Sequence, residues 1–467
     1  MSTGCYTPGE ATFDTSELAD SIKRQAPQVV AEVPKAPDDF LFRASVGIPD
    51  QPPLDWLNCV SDEMRFYGSA RGNKQAIEIG GVGTAHELVW HEPARFSRIF
   101  NALRSSLQMA SQGVRFYGGF RFTQEAKPDV DWKVFGFSRF IVPRLEMIRS
   151  ERGNLFSLHF TAAEYANGHV DYWCDRIASM CFWCNAWSDQ FPPPLSRQEN
   201  PDYSGWEENI EESLRAFDAG QLDKVVLARR ADFLFGGNLD PIVLLHRLKS
   251  ATPDCFHFCY MPAKDIAFVG ASPERLYMRD DRRLETEAVA GTRMRGKTQE
   301  LDDELGNEML NSDKDRREHE IVRSGIRDQL SPLCDAFKMD ASPRLQKLAR
   351  GQHLYSHISA QLRDEVRDED ILAALHPTAA LGGQPRETAL AFIERLEAFD
   401  RGWYAAPVGW VAEDSAEFAV AIRSGLVQPN KLSLFSGAGI VAGSTAANEW
   451  EEIELKVRDF IKVLTAS

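Results

Sequence analysis

The stretch Asp223-Lys-Val-Val-Leu-Ala-Arg-Arg230 decides the fold class. It is rich in apolar and β-branched residues and bounded by Gly220, which predicts a buried strand. Just before it, Ser204-Gly-Trp-Glu207 reads as a capping box: hydroxyl and carboxylate each satisfy an orphan amide at the start of a helix running to about residue 217. Further strands are predicted at 266–270, 276–278, 418–422 and 431–436, and helices at about 240–250, 313–330, 368–375, 386–396 and 448–464. The first of these helices has an Asp240 cap followed by Pro241 at its first position. Strands and helices come in clusters without strict alternation, so the expectation is α+β, with large mostly antiparallel sheets flanked by helices.

On the N-terminal side, residues 1–40 are polar with scattered prolines and predict a poorly ordered tail. From 41 to 190, β-rich runs at 76–79, 114–122 and 135–142 surround one amphipathic helix at 94–109. The Pro-rich run within 191–200 interrupts any periodic element and reads as a linker to the region 201–467.

Composition narrows the partners. The 467 residues carry 69 acidic and 53 basic side chains, a net charge of −16 (53 − 69). Nucleic acid and anionic membrane surfaces are therefore not expected partners. The apolar stretches fall far short of the roughly 20 residues that span a bilayer, and the acid-bearing first thirty residues lack the apolar core of a secretory signal. Eight cysteines are too sparse for a disulfide scaffold and suit a reducing cytoplasm. Cys181 and Cys184 form one CxxC near Cys174 without a matching fourth ligand, so an aromatic core element is the better reading than a zinc site.

Two helices put carboxylates in register. Asp315 and Glu318 recur at i, i+3, as do Glu449 and Glu452, with Lys456 one turn further along the same arc. The plain reading is two solvated helix faces with acidic first turns. If the pairs face one another, their oxygens suit a hard divalent cation held mainly through an anionic group of a ligand. The glycines of Ser436-Gly-Ala-Gly-Ile-Val-Ala-Gly443 have the spacing GxGxxxG, with no helix opening directly after them and no GKS or GKT in the chain. They point to close approach of backbone to a ligand or to tight strand-end turns, not to a nucleotide.

Four blocks together resemble the chorismate-utilising enzyme family, to which anthranilate synthase component I also belongs. They are Lys224-Val-Val-Leu-Ala-Arg229; Gly270-Ala-Ser-Pro-Glu-Arg-Leu276 with Glu287-Ala-Val-Ala-Gly-Thr-Arg293; Lys314-Asp-Arg-Arg-Glu-His319; and the run from Leu375-His-Pro-Thr-Ala-Ala-Leu-Gly-Gly383 through Asp400-Arg-Gly-Trp-Tyr404 and Ala421-Ile-Arg423 to Gly437-Ala-Gly-Ile440 and Glu449-Trp-Glu-Glu452. The match spans about 200–467. Arg65-Phe-Tyr67, Ala76-Ile-Glu-Ile-Gly-Gly-Val-Gly83 and Tyr117-Gly-Gly-Phe-Arg-Phe122 look like the N-terminal part of the isochorismate-forming members. The resemblance implies one chorismate-binding unit in which two sheet-and-helix halves pack together, divided by the Pro-rich run.

It also implies an activity: an isomerase that adds water at C2 of chorismate with loss of the C4 hydroxyl, giving isochorismate for menaquinone or siderophore synthesis. Such chemistry needs a base near C2 and an acid near C4. By motif match the base is Lys224 and the acid Glu274, whose carboxyl must stay protonated near neutrality through burial or a neighbouring carboxylate. Arg229 helps Lys224 only if the strand bends, since alternation puts the two on opposite sides. Glu318 and Glu452 match Mg²⁺ ligands, with Asp315 and Glu449 beside them. Tyr404, Arg423, Lys456 and the backbone at Gly437 and Gly439 match carboxylate-binding positions, and Thr292 and His353 pocket-lining ones.

Ammonia-using members generally lack the lysine, so no amidotransferase subunit is expected. Ala290 stands where many aminodeoxychorismate-forming members carry a nucleophilic lysine, and the Pro-x-Gly-Thr-x-Ser-Gly-x-Pro pattern of anthranilate-forming ones is absent. Salicylate-forming members, which add pyruvate elimination, tend to have Thr-Ala where this chain has Ala380-Leu381. The alternatives are a salicylate-forming enzyme and, in another class, a non-catalytic chorismate-binding protein.

Overall fold

In a computed structural model, residues 14–465 are described apart from 61–63, 73–76, 124–128, 184–186, 189 and 350. Two large sheets, both paired antiparallel throughout, lie between layers of helices. The twelve-stranded sheet starts at Leu41–Ile48, runs through four more strands of the N-terminal segment, and continues with Phe256–Ala263, Ile266–Ser272, Ser424–Gln428, Lys431–Ile440 and Lys224–Phe235. The ten-stranded sheet runs from Cys334–Met339 through Gly351–Leu362, Arg283–Met294, Arg275–Asp280, Ser415–Val420 and Pro407–Val411 to three N-terminal strands, beginning with Phe116–Phe120. Period-two alternation divides the core. On Phe256–Ala263, Phe258 and Tyr260 point into the cluster between the sheets with Phe268, Trp403 and Phe418, while Cys259 and Met261 join Leu245, Val457 and Phe460 under the helices on the other face. Both faces of this sheet are covered, which is why Val225, Val226, Leu227 and Ala228 are all buried and read as a continuous apolar run.

The helices Asp313–Leu330, Asp368–Leu375 and Arg386–Leu396 lie where periodicity puts them, and the last helix runs from Ala446 to Thr465. Asp240 caps its helix by accepting from the amides of Ile242 and Val243.

Three local expectations are corrected. Within the expected tail, Thr15–Ala31 is a helix capped by Asp14 that buries Leu18, Ile22, Ala26 and Val29. Those residues form an amphipathic stripe that the polar composition and Pro27 disguise. Within the expected linker, Pro194–Asn200 is an edge strand paired with Lys224–Phe235, Phe233 lying opposite Arg197. Prolines are tolerated there because they stand at the beginning of an edge strand. The cap of helix Tyr203–Asp218 is Asp202, whose carboxylate accepts from the Gly205 amide at 2.9 Å, and not Ser204, which sits inside the first turn. The 191–200 run therefore does not separate two bodies, and each sheet draws strands from both sides of it. Near the CxxC, Cys174 and Phe182 are buried, Phe182 stacking on Trp56, whereas Cys184 lies outside the described residues.

Candidate active site

One cavity gathers most of the residues singled out above. Lys224, Glu274, Thr292, Glu318, His353, Tyr404, Arg423, Gly437, Gly439, Glu452 and Lys456 all line it. They come from both sheets and from the helices outside them. Lys224 opens the strand Lys224–Phe235, Gly437 and Gly439 sit on its neighbour with Val226 opposite Gly439, and Glu318 projects from Asp313–Leu330. Glu452 and Lys456 are one turn apart on Ala446–Thr465.

Lys224 is 1% exposed and its Nζ lies 3.0 Å from Glu318 Oε1. Arg229 turns to the other side, to Glu199 and Glu454, with its guanidinium over the Trp450 ring, so the strand keeps its alternation and Arg229 stays out of the cavity. Glu274 is buried, and that burial, reinforced by the nearby carboxylate of Glu287, pushes its carboxyl up to about 8 against the opposing pull of Lys224, Arg71 and Lys456. It is therefore a protonated acid at neutral pH. The glycines have a steric reason: a Cβ on Gly439 would lie 2.6 Å from Glu318 Oε1 and 2.8 Å from Lys224 Cε, and one on Gly437 would lie 3.1 Å from the Tyr404 hydroxyl.

The far wall is built for anions. Arg423 has a left-handed backbone (φ 50°), and its guanidinium has no hydrogen-bond or ion-pair partner among the described residues. Lys456 Nζ donates to Gly437 O at 2.8 Å and to Glu452 Oε1 at 2.7 Å. His353 Nδ1 faces the Gly291 carbonyl at 2.8 Å, so Nδ1 carries the proton and Nε2 is a buried acceptor with no partner among the described residues. Burial first, then Arg423, lowers this imidazole to about 4 and keeps it neutral.

The four acids expected around a metal take different partners. Asp315 pairs with Arg293 at 2.8 Å and Glu449 with Lys314 at 2.9 Å, and neither lines the cavity. Among the described residues no three His, Cys, Asp or Glu side chains stand close enough to hold an ion. Glu318 and Glu452 do line it, on opposite helices, and a pair of carboxylates completed by ligand oxygens and water is a donor set that fits Mg²⁺. Burial first, then the charge of Glu452, push the Glu449 carboxyl up, whereas Lys456 holds the Glu452 carboxyl down against its burial.

Sequence reasoning did not single out Arg401 as a wall residue. It lines the cavity but is consumed by Glu397 and the carbonyls of Val226 and Leu381, so it builds the wall and offers nothing to a ligand. A second cavity adjoins the first, sharing Pro273, Thr292, His353 and Arg423, and Arg293, Arg295, Arg458 and Lys462 stand around it against Asp254 and Asp459.

Comparison with known proteins gives a consistent result. Residues 28–465 match the family model described as chorismate binding enzyme. The chain is 34% identical over 447 residues to the chloroplastic isochorismate synthase of Catharanthus roseus, covering 91% of this chain and 75% of that one. It is 31% identical over 417 residues to the isochorismate synthase MenF of Escherichia coli (86% and 88% covered). The solved structure of the menaquinone-specific isochorismate synthase MenF from that bacterium superposes with a TM-score of 0.82 at 26% identity, covering 96% of this chain and 100% of that one. Anthranilate synthase component I from Streptococcus pneumoniae shares the fold at a TM-score of 0.68 and 19% identity.

Proposed function

The chain belongs to the chorismate-binding enzyme family, and on that premise we infer that it is an isochorismate synthase, an isomerase converting chorismate to isochorismate. The observation that carries the mechanism is a buried lysine and a protonated, buried glutamic acid lining one cavity. Lys224 takes a proton from water as its oxygen bonds to C2. The ring double bonds shift, the C4–O bond breaks, and Glu274 supplies the proton with which the C4 hydroxyl leaves as water. One water enters and one leaves, so the net change is an isomerisation. Lys224 must be neutral to accept the proton, which means giving up its ion pair with Glu318.

Arg423, without a hydrogen-bond or ion-pair partner among the described residues, and Lys456 bind the substrate carboxylates, and Tyr404 with Gly437 and Gly439 shapes the floor beneath them. The His353 acceptor takes a hydrogen bond from a substrate hydroxyl or from the attacking water. Glu318 and Glu452 would hold Mg²⁺, which when bound supplies positive charge for a substrate carboxylate and offsets the two glutamates.

The product serves menaquinone or siderophore synthesis. The extent of the likeness to a menaquinone-specific synthase supports the former. Free thiols at Cys174, Cys255, Cys259 and Cys334 support a cytoplasmic setting, and among the described residues no helix is long and apolar enough to cross a membrane. The test is turnover in H₂¹⁸O: one labelled oxygen at C2 of the product is expected, and unlabelled product at first turnover would contradict water addition.

A further inference from the structure

Glu274 sits in a short connection between Ile266–Ser272, in the larger sheet, and Arg275–Asp280, in the smaller. Such a crossing would be loose unless held, and two residues that do not line the cavity hold it. Arg71, just beyond the N-terminal strand Arg65–Ser69, donates through Nη1 and Nη2 to the two oxygens of Glu287 at 2.8 and 2.6 Å. Its Nη1 also donates to the carbonyl of Pro273, the residue before Glu274. Glu287 accepts in turn from the amide of Arg275, the residue after Glu274, at 2.7 Å. The backbone on both sides of the acid is thus tied to one bidentate ion pair, whose carboxylate side chain is 1% exposed and whose arginine lies over the Phe256 ring.

Each partner is suited to this. Only a guanidinium fork reaches both carboxylate oxygens and a carbonyl at once, and a buried Glu287 without Arg71 would be an uncompensated charge. Arg71 and Glu287 are 216 positions apart, so the contact exists only in the assembled fold.

We propose that Arg71 and Glu287 are positioning residues that clamp the Pro273–Arg275 backbone and aim Glu274 at the leaving hydroxyl, so that the N-terminal segment completes the active site. The inference rests on Glu274 being the acid of the reaction. The groups facing Glu274 are Glu287 and Arg71 of the clamp, with Lys224 and Lys456 across the cavity. Removing the Glu287 charge takes away the neighbour that favours the protonated form and leaves the cations that oppose it.

The experiment measures kcat, KM and pH–rate profiles for R71A, E287Q and E274Q in the full chain. For R71A, kcat is expected to fall about 10²-fold, the scale of an ångström-sized misplacement, with KM little changed. Guanidinium ion added to R71A should restore at least part of that loss. For E287Q, the alkaline limb of kcat/KM should move to lower pH, which a merely structural role would not do. Wild-type kcat in R71A, or losses that guanidinium does not relieve together with an unmoved limb in E287Q, would overturn the clamp. Full activity in E274Q would instead overturn the assignment of the acid beneath it.

Discussion

Glu274 must stay protonated in a cavity that it shares with Lys224 and Lys456. Glu274 lacks a neutralising partner strong enough to offset burial and Glu287, so its acid form persists to about pH 8. A catalytic acid works only while protonated, so kcat/KM is expected to hold through neutrality and fall above about pH 8. A glutamate at its ordinary value near 4.3 would have lost that limb well below neutrality. A pH–rate profile without an alkaline decline between about 7 and 9 would contradict the assignment. Lys224→Ala is expected to lose roughly 10²–10⁴ in kcat, the usual worth of a general base. Rate measurements on a variant shown to be folded check this. Both residues were legible because short motifs carry them. The Arg71–Glu287 pair was not, since nothing local marks two residues that meet only across the sheets.

At the scale of elements, the strand Lys431–Ile440 shows what the glycine pattern is for. Alanine at Gly439 would press on the mobile ends of Lys224 and Glu318 and not on backbone. Gly439→Ala is therefore expected to melt within a few degrees of the parent while losing about 10²-fold in kcat, because the displaced atoms are the reactive ones. A large drop in melting temperature with normal kcat would reverse that account. Asp202→Ala should cost about 1 kcal/mol by denaturant titration, whereas Ser204→Ala should cost much less, since Asp202 makes the cap contact.

Helices were readable where an apolar stripe and a cap coincide, as at Asp240, except at Thr15–Ala31, where Asp14 caps the helix but Pro27 and the polar composition hide the stripe. The strands Arg283–Met294 and Gly351–Leu362 were not read, because Thr286, Glu287, Gln352, His353 and Ser356 are buried polar residues that break the two-residue alternation. The elements hardest to read are thus the ones that carry Thr292, His353 and Glu287.

Across the whole molecule, the segment before residue 200 is part of the catalytic unit. Arg65–Ser69 pairs with Phe256–Ala263 in one sheet, and Phe116–Phe120 pairs with Pro407–Val411 in the other. Residues 201–467 expressed alone would expose two sheet edges and the aromatic core between them, so no cooperative unfolding transition is expected by calorimetry. The net charge of −16 repels a dianionic substrate at long range, yet with Arg293 and Arg295 paired to Asp315 and Asp302 the adjoining cavity still sets Arg423, Arg458 and Lys462 against Asp254 and Asp459. The local field beside Arg423 predicts that kcat/KM falls as salt rises, while kcat moves less.

The reaction itself is tested by identifying the products formed from chorismate and Mg²⁺ by the purified full chain, with EDTA as the paired condition. Isochorismate is expected as the sole product, lost with EDTA and restored by Mg²⁺. Salicylate with an equal amount of pyruvate, anthranilate in the presence of ammonia, or tight chorismate binding without turnover would contradict it.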